Sequence, residues 1–233
     1  MARQIIKTVS YIKKTYSIIK ETKETVFYND INVFVTKPLP EEISLNNVLK
    51  RIEQMIPKHM VDNIDAIYVG HFEEFDKREV NAFYQDGALY ITNQQDDEED
   101  MIDDIVHETS HAVEERYGSE IYGDGKLKQE FLLKRKKLAE RLKAYGYYDD
   151  SHDFMNAEYD KSFDDFLYNQ IGYDKLQFFT LGLFPSNYSA TSLREYFGIG
   201  FEKYFLGEKE DLVSVSPILY KKIKEIDFLE ENW

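Results

Sequence analysis

The stretch Asp103-Asp104-Ile105-Val106-His107-Glu108-Thr109-Ser110-His111-Ala112-Val113-Glu114-Glu115 constrains this chain more than any other. An α-helix turns about 100° per residue, so Ile105, Val106, Thr109, Ala112 and Val113 fall within roughly 120° of one another. His107 and His111 point to the opposite side. Such a helix buries one stripe and carries two imidazoles, a turn apart, on its polar face. Two imidazoles so spaced can grip one metal ion, and Glu108, about 100° round from His107, can face a water beside it. With five histidines in the chain, an H-E-x-x-H arises by chance in roughly one such sequence in a hundred. Gly118 predicts the end of the helix soon after. The competing reading is an acidic surface helix with two solvated histidines.

The chain has no cysteine, which excludes disulfides, thiolate metal sites and a cysteine nucleophile. A metal here must take nitrogen and oxygen ligands, and zinc suits imidazole and carboxylate. A zinc-associated water is acidic enough for a carboxylate to deprotonate near neutral pH. The formal net charge of −15 argues against nucleic-acid binding, since phosphate would be repelled. Two basic runs depart from that balance, residues 1–20 and residues 126–143; both read as solvated helix faces. No apolar run approaches the roughly 18 residues of a membrane span, so no transmembrane segment is expected.

Residues 1–24 read as a basic amphipathic helix, with Ile5, Val9, Ile12, Tyr16 and Ile19 at helical spacing. They lack the compact apolar core of a secretion signal, so a cytoplasmic or host-delivered protein is expected. Thr25 to Val35 reads as a hairpin or a pair of short strands around Asn29-Asp30. Ser44 caps a helix that ends at Pro57, Ile64 to Phe72 is a buried strand, and Glu79 to Thr92 is a second hairpin across Asp86-Gly87. After Gly118 the chain is mainly helical: Lys126 to Ala144, Phe154 to Ile171, Asp174 to Leu183, and Ser192 to Leu206. The fold class is therefore α+β, with a small mixed sheet lobe over 25–118 that includes the H-E-x-x-H helix and a helical lobe over 119–233. His59, His71 and His152 read as local or solvated histidines. Asp104, one turn before His107, is a candidate to orient a ligand imidazole from behind.

Two histidines leave a zinc ion one protein ligand short, and catalytic zinc sites commonly take a carboxylate there. Glu195 is the foremost candidate, in the first turn of the Ser192 to Leu206 helix. Ser192-Leu193-Arg194-Glu195 also fits a capping box, in which the glutamate reaches back to the cap residue. Pattern alone leaves cap and ligand open, with Glu202 and Glu158 as further candidates.

His107-Glu108-Thr109-Ser110-His111, then Tyr188, then Glu195-Tyr196-Phe197-Gly198-Ile199-Gly200-Phe201 resembles the gluzincin metallopeptidases, specifically the anthrax lethal factor-like group. Secreted Pro-Pro endopeptidases belong to that group, and Mlc titration factor A has a similar site. The segment Glu202-Lys203-Tyr204-Phe205-Leu206 through Pro217-Ile218-Leu219-Tyr220 resembles the tail of the latter. The resemblance covers roughly residues 100 to 225 with a gap and implies a single zincin-like catalytic domain over 25–233. It implies that His107, His111 and Glu195 bind Zn2+, that Glu108 is the general base, and that Tyr188 stabilises the tetrahedral oxyanion.

Two departures stand out. Lethal factor has a second glutamate four residues after its ligand glutamate, where this chain has Ile199, so a contact made there must come from elsewhere. Glu195 also follows His111 by 84 positions, a long interval for the group. The implied activity is zinc-dependent endopeptidase cleavage of a peptide or protein substrate, with an extended peptide lying along the edge of the 79–92 hairpin. The alternative is a zincin-fold interaction or assembly protein with little or no peptidase activity. Neither oligomeric state nor the physiological substrate follows from the sequence.

Overall fold

The structure, a computed structural model, describes residues 23–78, 80–147 and 151–229; most of the expected N-terminal helix, residues 1–22, lies outside them. The fold is α+β. Strand β1 (Lys23–Phe27) turns back onto β2 (Ile31–Val35) through Tyr28 and Asn29, both at positive φ. That is the mirror-image turn whose twist suits a hairpin. Helix α1 (Leu45–Met55) begins after Ser44 and stops before Pro57, and β3 (Ala66–Gly70) follows. A short helix α2 (Glu73–Arg78) leads to β4 (Ala82–Gln85) and β5 (Ala88–Thr92), joined by Asp86 and Gly87, again at positive φ.

The sheet order is β1-β2-β3-β5-β4, with the inner pairs β2/β3 and β3/β5 parallel and the outer pairs antiparallel. Period-two alternation sorts its faces. Val33, Ile67, Val69, Leu89 and Ile91 are fully buried. On the other face Phe34, Tyr68, Tyr90 and Phe83 stack ring on ring across four strands.

Helix α3 (Glu98–Tyr122) carries the H-E-x-x-H and runs on beyond Gly118. Tyr117 alone leaves helical geometry (φ −111°, ψ 20°), so the glycine marks a kink where the sequence predicted an end. Compact packing divides the chain into two units, one reaching Gln54 with Asp62–Ile105 added, the other comprising Met55–Val61 and the chain from Val106 onward. Both histidines of the motif belong to the second unit.

The rest of that unit is helical: α4 (Lys126–Ala144), α5 (Lys161–Asp165) running into a π-helical turn over Phe166–Ile171, α6 (Tyr173–Thr180), α7 (Leu193–Phe205), α8 (Lys209–Val215) and α9 (Pro217–Asp227). The helix expected from Phe154 begins only at Lys161. Asp153 Oδ1 accepts from the backbone N–H of Met155 at 2.8 Å, and Asn156 Oδ1 from that of Glu158 at 3.1 Å. Such two-residue side-chain turns compete with helical hydrogen bonds. Helix α6 ends early at Thr180, because Leu181 leaves helical geometry (φ −52°, ψ 126°), and the Thr180 hydroxyl lies 2.7 Å from Asn187 Oδ1. Among the described residues no helix is long and apolar enough to cross a membrane.

The basic run of α4 is not wholly solvated. Lys134 and Arg135 are 7 % and 1 % exposed. Lys134 Nζ donates to Leu183 O at 2.7 Å and to Val215 O at 2.5 Å. The Arg135 guanidinium lies 3.8 Å from the Phe163 ring centroid and donates to Ala190 O at 2.6 Å and Thr191 O at 3.2 Å. It thereby ties down the turn that leads into α7. Arg135→Met strands those carbonyls, and we expect a loss of about 2–3 kcal/mol of stability in urea unfolding. Lys137→Met, at an exposed position of the same helix, should stay within about 0.5 kcal/mol of wild type.

Candidate metal centre

The histidine face of α3 is not a solvent face: Glu108 and His111 are buried and His107 is half-buried. It is covered by α7, whose start is held three ways. Ser192 caps the helix, its hydroxyl accepting from Glu195 N at 3.1 Å. Leu193 N donates to Ala157 O at 2.8 Å, and Arg135 holds the two preceding carbonyls. The choice between cap and ligand for Glu195 thus separates by atom. Its backbone N–H serves the cap, while its carboxylate turns to His107, with Oε2 at 3.2 Å from Nε2.

Glycine permits this approach. A Cβ on Gly198 would lie 2.9 Å from His107 Cε1 and 3.2 Å from Ser110 Oγ. Glu195, Gly198 and Glu202 share one face of α7, at positions i, i+3 and i+7. The two carboxylates flank one ring, Glu195 at Nε2 and Glu202 hydrogen-bonded to Nδ1. His111 has its own carboxylate on the same helix: Glu114 Oε2 lies 2.8 Å from Nδ1, and the Tyr122 hydroxyl donates to Glu114 Oε1. Arg194 Nε also lies 3.0 Å from His111 Nδ1 and 3.7 Å from Glu114. One ring nitrogen cannot both donate to Glu114 and accept from Arg194. The shorter contact, reinforced by Tyr122, favours Nδ1–H donating to the carboxylate.

The electrostatics follow from these neighbours. Burial opposes charge on His107, yet the carboxylates of Glu195 and Glu202 outweigh it and raise the imidazole well above its ordinary pKa. Burial would raise Glu195, but His107, with His111 and Arg194 behind it, brings the carboxyl below its usual range. Tyr188, on the 3₁₀ turn Tyr188–Ala190 before α7, is raised by burial and then by the charge of Glu195, which puts the phenol within electrostatic reach of the site.

The residues fit a metal ion on three observations. Ligand atoms of His107, Glu108 and His111 all lie within 4.8 Å of one another. Both Nδ1 atoms are engaged by carboxylates, which leaves the Nε2 atoms for a ligand. Glu195 Oε2 is buried without a hydrogen bond of proper geometry, although it sits close to His107 Nε2. Two ligands of a tetrahedral zinc with bonds near 2.0–2.1 Å stand about 3.3 Å apart, close to the 3.2 Å found. The donor set of imidazole and carboxylate, with no thiolate, suits zinc.

Of the other sequence candidates, Glu202 lies on the far side of the His107 ring from Glu195. Glu158 is exposed and contributes a small part of the charge that raises the Tyr122 phenol. Asp104 is hydrogen-bonded by Gln95 Nε2 at 2.9 Å, and the Nδ1 partners are Glu202 and Glu114 instead. His59 bonds Ile226 O at 2.9 Å, His71 pairs with Asp76 at 3.3 Å, and His152 stacks on Phe166. Glu114 and Tyr122 carry no motif of their own, and the motifs that include Arg194 and Gly198 give neither a role at the histidines. The i+3 spacing of Glu114 after His111, and Gly198 lying between Glu195 and Glu202, were the available signals. No protein-family model matches the chain, and neither curated proteins nor solved structures include a significant match.

Gly198→Ala should displace His107 while leaving the fold intact. Zinc affinity, measured by competition with a chromophoric chelator, is expected to fall about tenfold or more, with a stability loss of about 1–3 kcal/mol.

Proposed function

We propose that this protein is a zinc-dependent endopeptidase with a zincin-like fold, of the gluzincin kind resembling the lethal factor-like group. What supports the reading most is the meeting of Glu195, 84 positions downstream of His111, with His107 Nε2 at 3.2 Å. A surface helix with two solvated histidines requires no such partner.

In this reading His107, His111 and Glu195 hold the ion. Zinc bound there supplies a Lewis acid that polarises a peptide carbonyl and lowers the pKa of water. Glu108 takes the proton of the attacking water and passes it to the leaving nitrogen, as a carboxylate buried beside the imidazoles can. Tyr188 gives a hydrogen bond to the oxyanion of the tetrahedral intermediate. Its raised pKa keeps the phenol protonated, hence a donor, at any working pH. Glu114 lies behind the His111 ring, at Nδ1.

Zinc-loaded wild type should cleave members of an unstructured peptide library, and excess chelator should stop it. Glu108→Gln should keep its zinc and lose about 10²–10⁴-fold in kcat. Tyr188→Phe should lose about 10²-fold in kcat with KM little changed. A zinc-loaded wild type that cleaves nothing would instead favour the interaction or assembly protein. Glu108→Gln at full turnover would remove that residue from the mechanism.

A further inference from the structure

The contact between Glu202 and His107 does not belong to ligand binding, because it is made at the ring nitrogen facing away from Glu195. An imidazole can present either nitrogen to a metal, and which one it presents is set by the hydrogen bond that the other makes. For His111 that bond comes from within the helix, through Glu114. For His107 no residue of α3 takes the part: Asp104, one turn earlier, is bonded to Gln95. The ring is met instead by Glu202, two turns after Glu195 on α7.

We propose that Glu202 is the positioning residue of His107, fixing the ring so that Nε2 faces the metal while Nδ1–H donates to its carboxylate. The proposal rests on the metal-centre reading. It gives α7 two tasks on one imidazole, delivery of a ligand carboxylate at one nitrogen and orientation of the ring through the other. Gly198 between them makes both possible, since a side chain there would hold the helix off. Ile199, where a glutamate one turn after the ligand was the expectation, is thereby explained. The orienting carboxylate has moved three positions further along, on the same face. Glu202 is largely buried, with its side chain 21 % exposed, so water competes weakly for the bond.

The test is metal binding in four full-length proteins: wild type, Glu202→Met, Glu202→Gln and Glu195→Ala. Zinc affinity is read by chelator competition, coordination geometry from the visible absorption bands of bound Co2+, and folding from the urea midpoint. Glu202→Met keeps the length and removes the acceptor. It should bind zinc about 10–100-fold more weakly and alter the Co2+ bands, while remaining folded. Glu202→Gln keeps a neutral acceptor and should lose only about 3–10-fold.

Folded Glu202→Met with wild-type affinity and Co2+ spectrum would overturn the proposal, provided Glu195→Ala shows the loss expected of a ligand. If Glu202→Met does not fold, unchanged affinity and spectrum in Glu202→Gln would overturn it. Wild type that binds no zinc, or Glu195→Ala that binds as well as wild type, would overturn the metal-centre reading and this proposal with it.

Discussion

One imidazole, that of His107, lies between two carboxylates of a single helix, and the second unit is arranged to bring that helix close. A side chain at position 198 would hold α7 away from α3. The turn before α7 is pinned by Arg135 through the Ala190 and Thr191 carbonyls, and the helix is capped by Ser192. Further along, Gly200 admits Leu219, whose side chain would meet a Cβ there. Glu130 of α4 accepts from the Tyr196 hydroxyl and from the backbone N–H groups of Ile218 and Leu219. One buried-edge carboxylate thus ties α7 to the first turn of α9, satisfying donors that a helix start leaves open.

Charge balance gives this arrangement its chemical sense. Glu108, Glu114, Glu195 and Glu202 converge on the histidine pair, and Arg194, more than half exposed, lies against His111 and Glu114. Gathering carboxylates away from water is unfavourable unless a positive charge compensates. In the proposed reading a divalent cation held by His107, His111 and Glu195 would take over the charge that the His107 imidazole, raised by its two carboxylates, otherwise supplies.

Much of this was legible because local chemistry and global structure agree. Asn29 and Asp86-Gly87 turn where positive φ is tolerated, and α4 begins and ends where the sequence places it, at Lys126 and Ala144. The H-E-x-x-H lies on one helix, so its periodicity is visible. Legibility failed where tertiary partners decide. Lys134 and Arg135 look like members of a solvated basic face, and it is the carbonyls of distant turns and, for Arg135, the Phe163 ring that account for their burial. Residues 154–160 have helical spacing, yet Asp153 and Asn156 supply competing hydrogen bonds to their own backbone. Glu202 was visible as a carboxylate of the same helix as Glu195, but its side of the imidazole depends on the distance between two helices far apart in sequence. Glu114 needs the tautomer of His111 to acquire a role.

The central claim is that two helices converge on one ion, and crystals grown with zinc test it most directly, through anomalous scattering measured on either side of the zinc absorption edge. The account predicts a peak within about 2.0–2.2 Å of His107 Nε2, His111 Nε2 and a Glu195 carboxylate oxygen. A zinc-saturated crystal with no peak there, or with Glu195 turned out of bonding distance and no other carboxylate in its place, would contradict it.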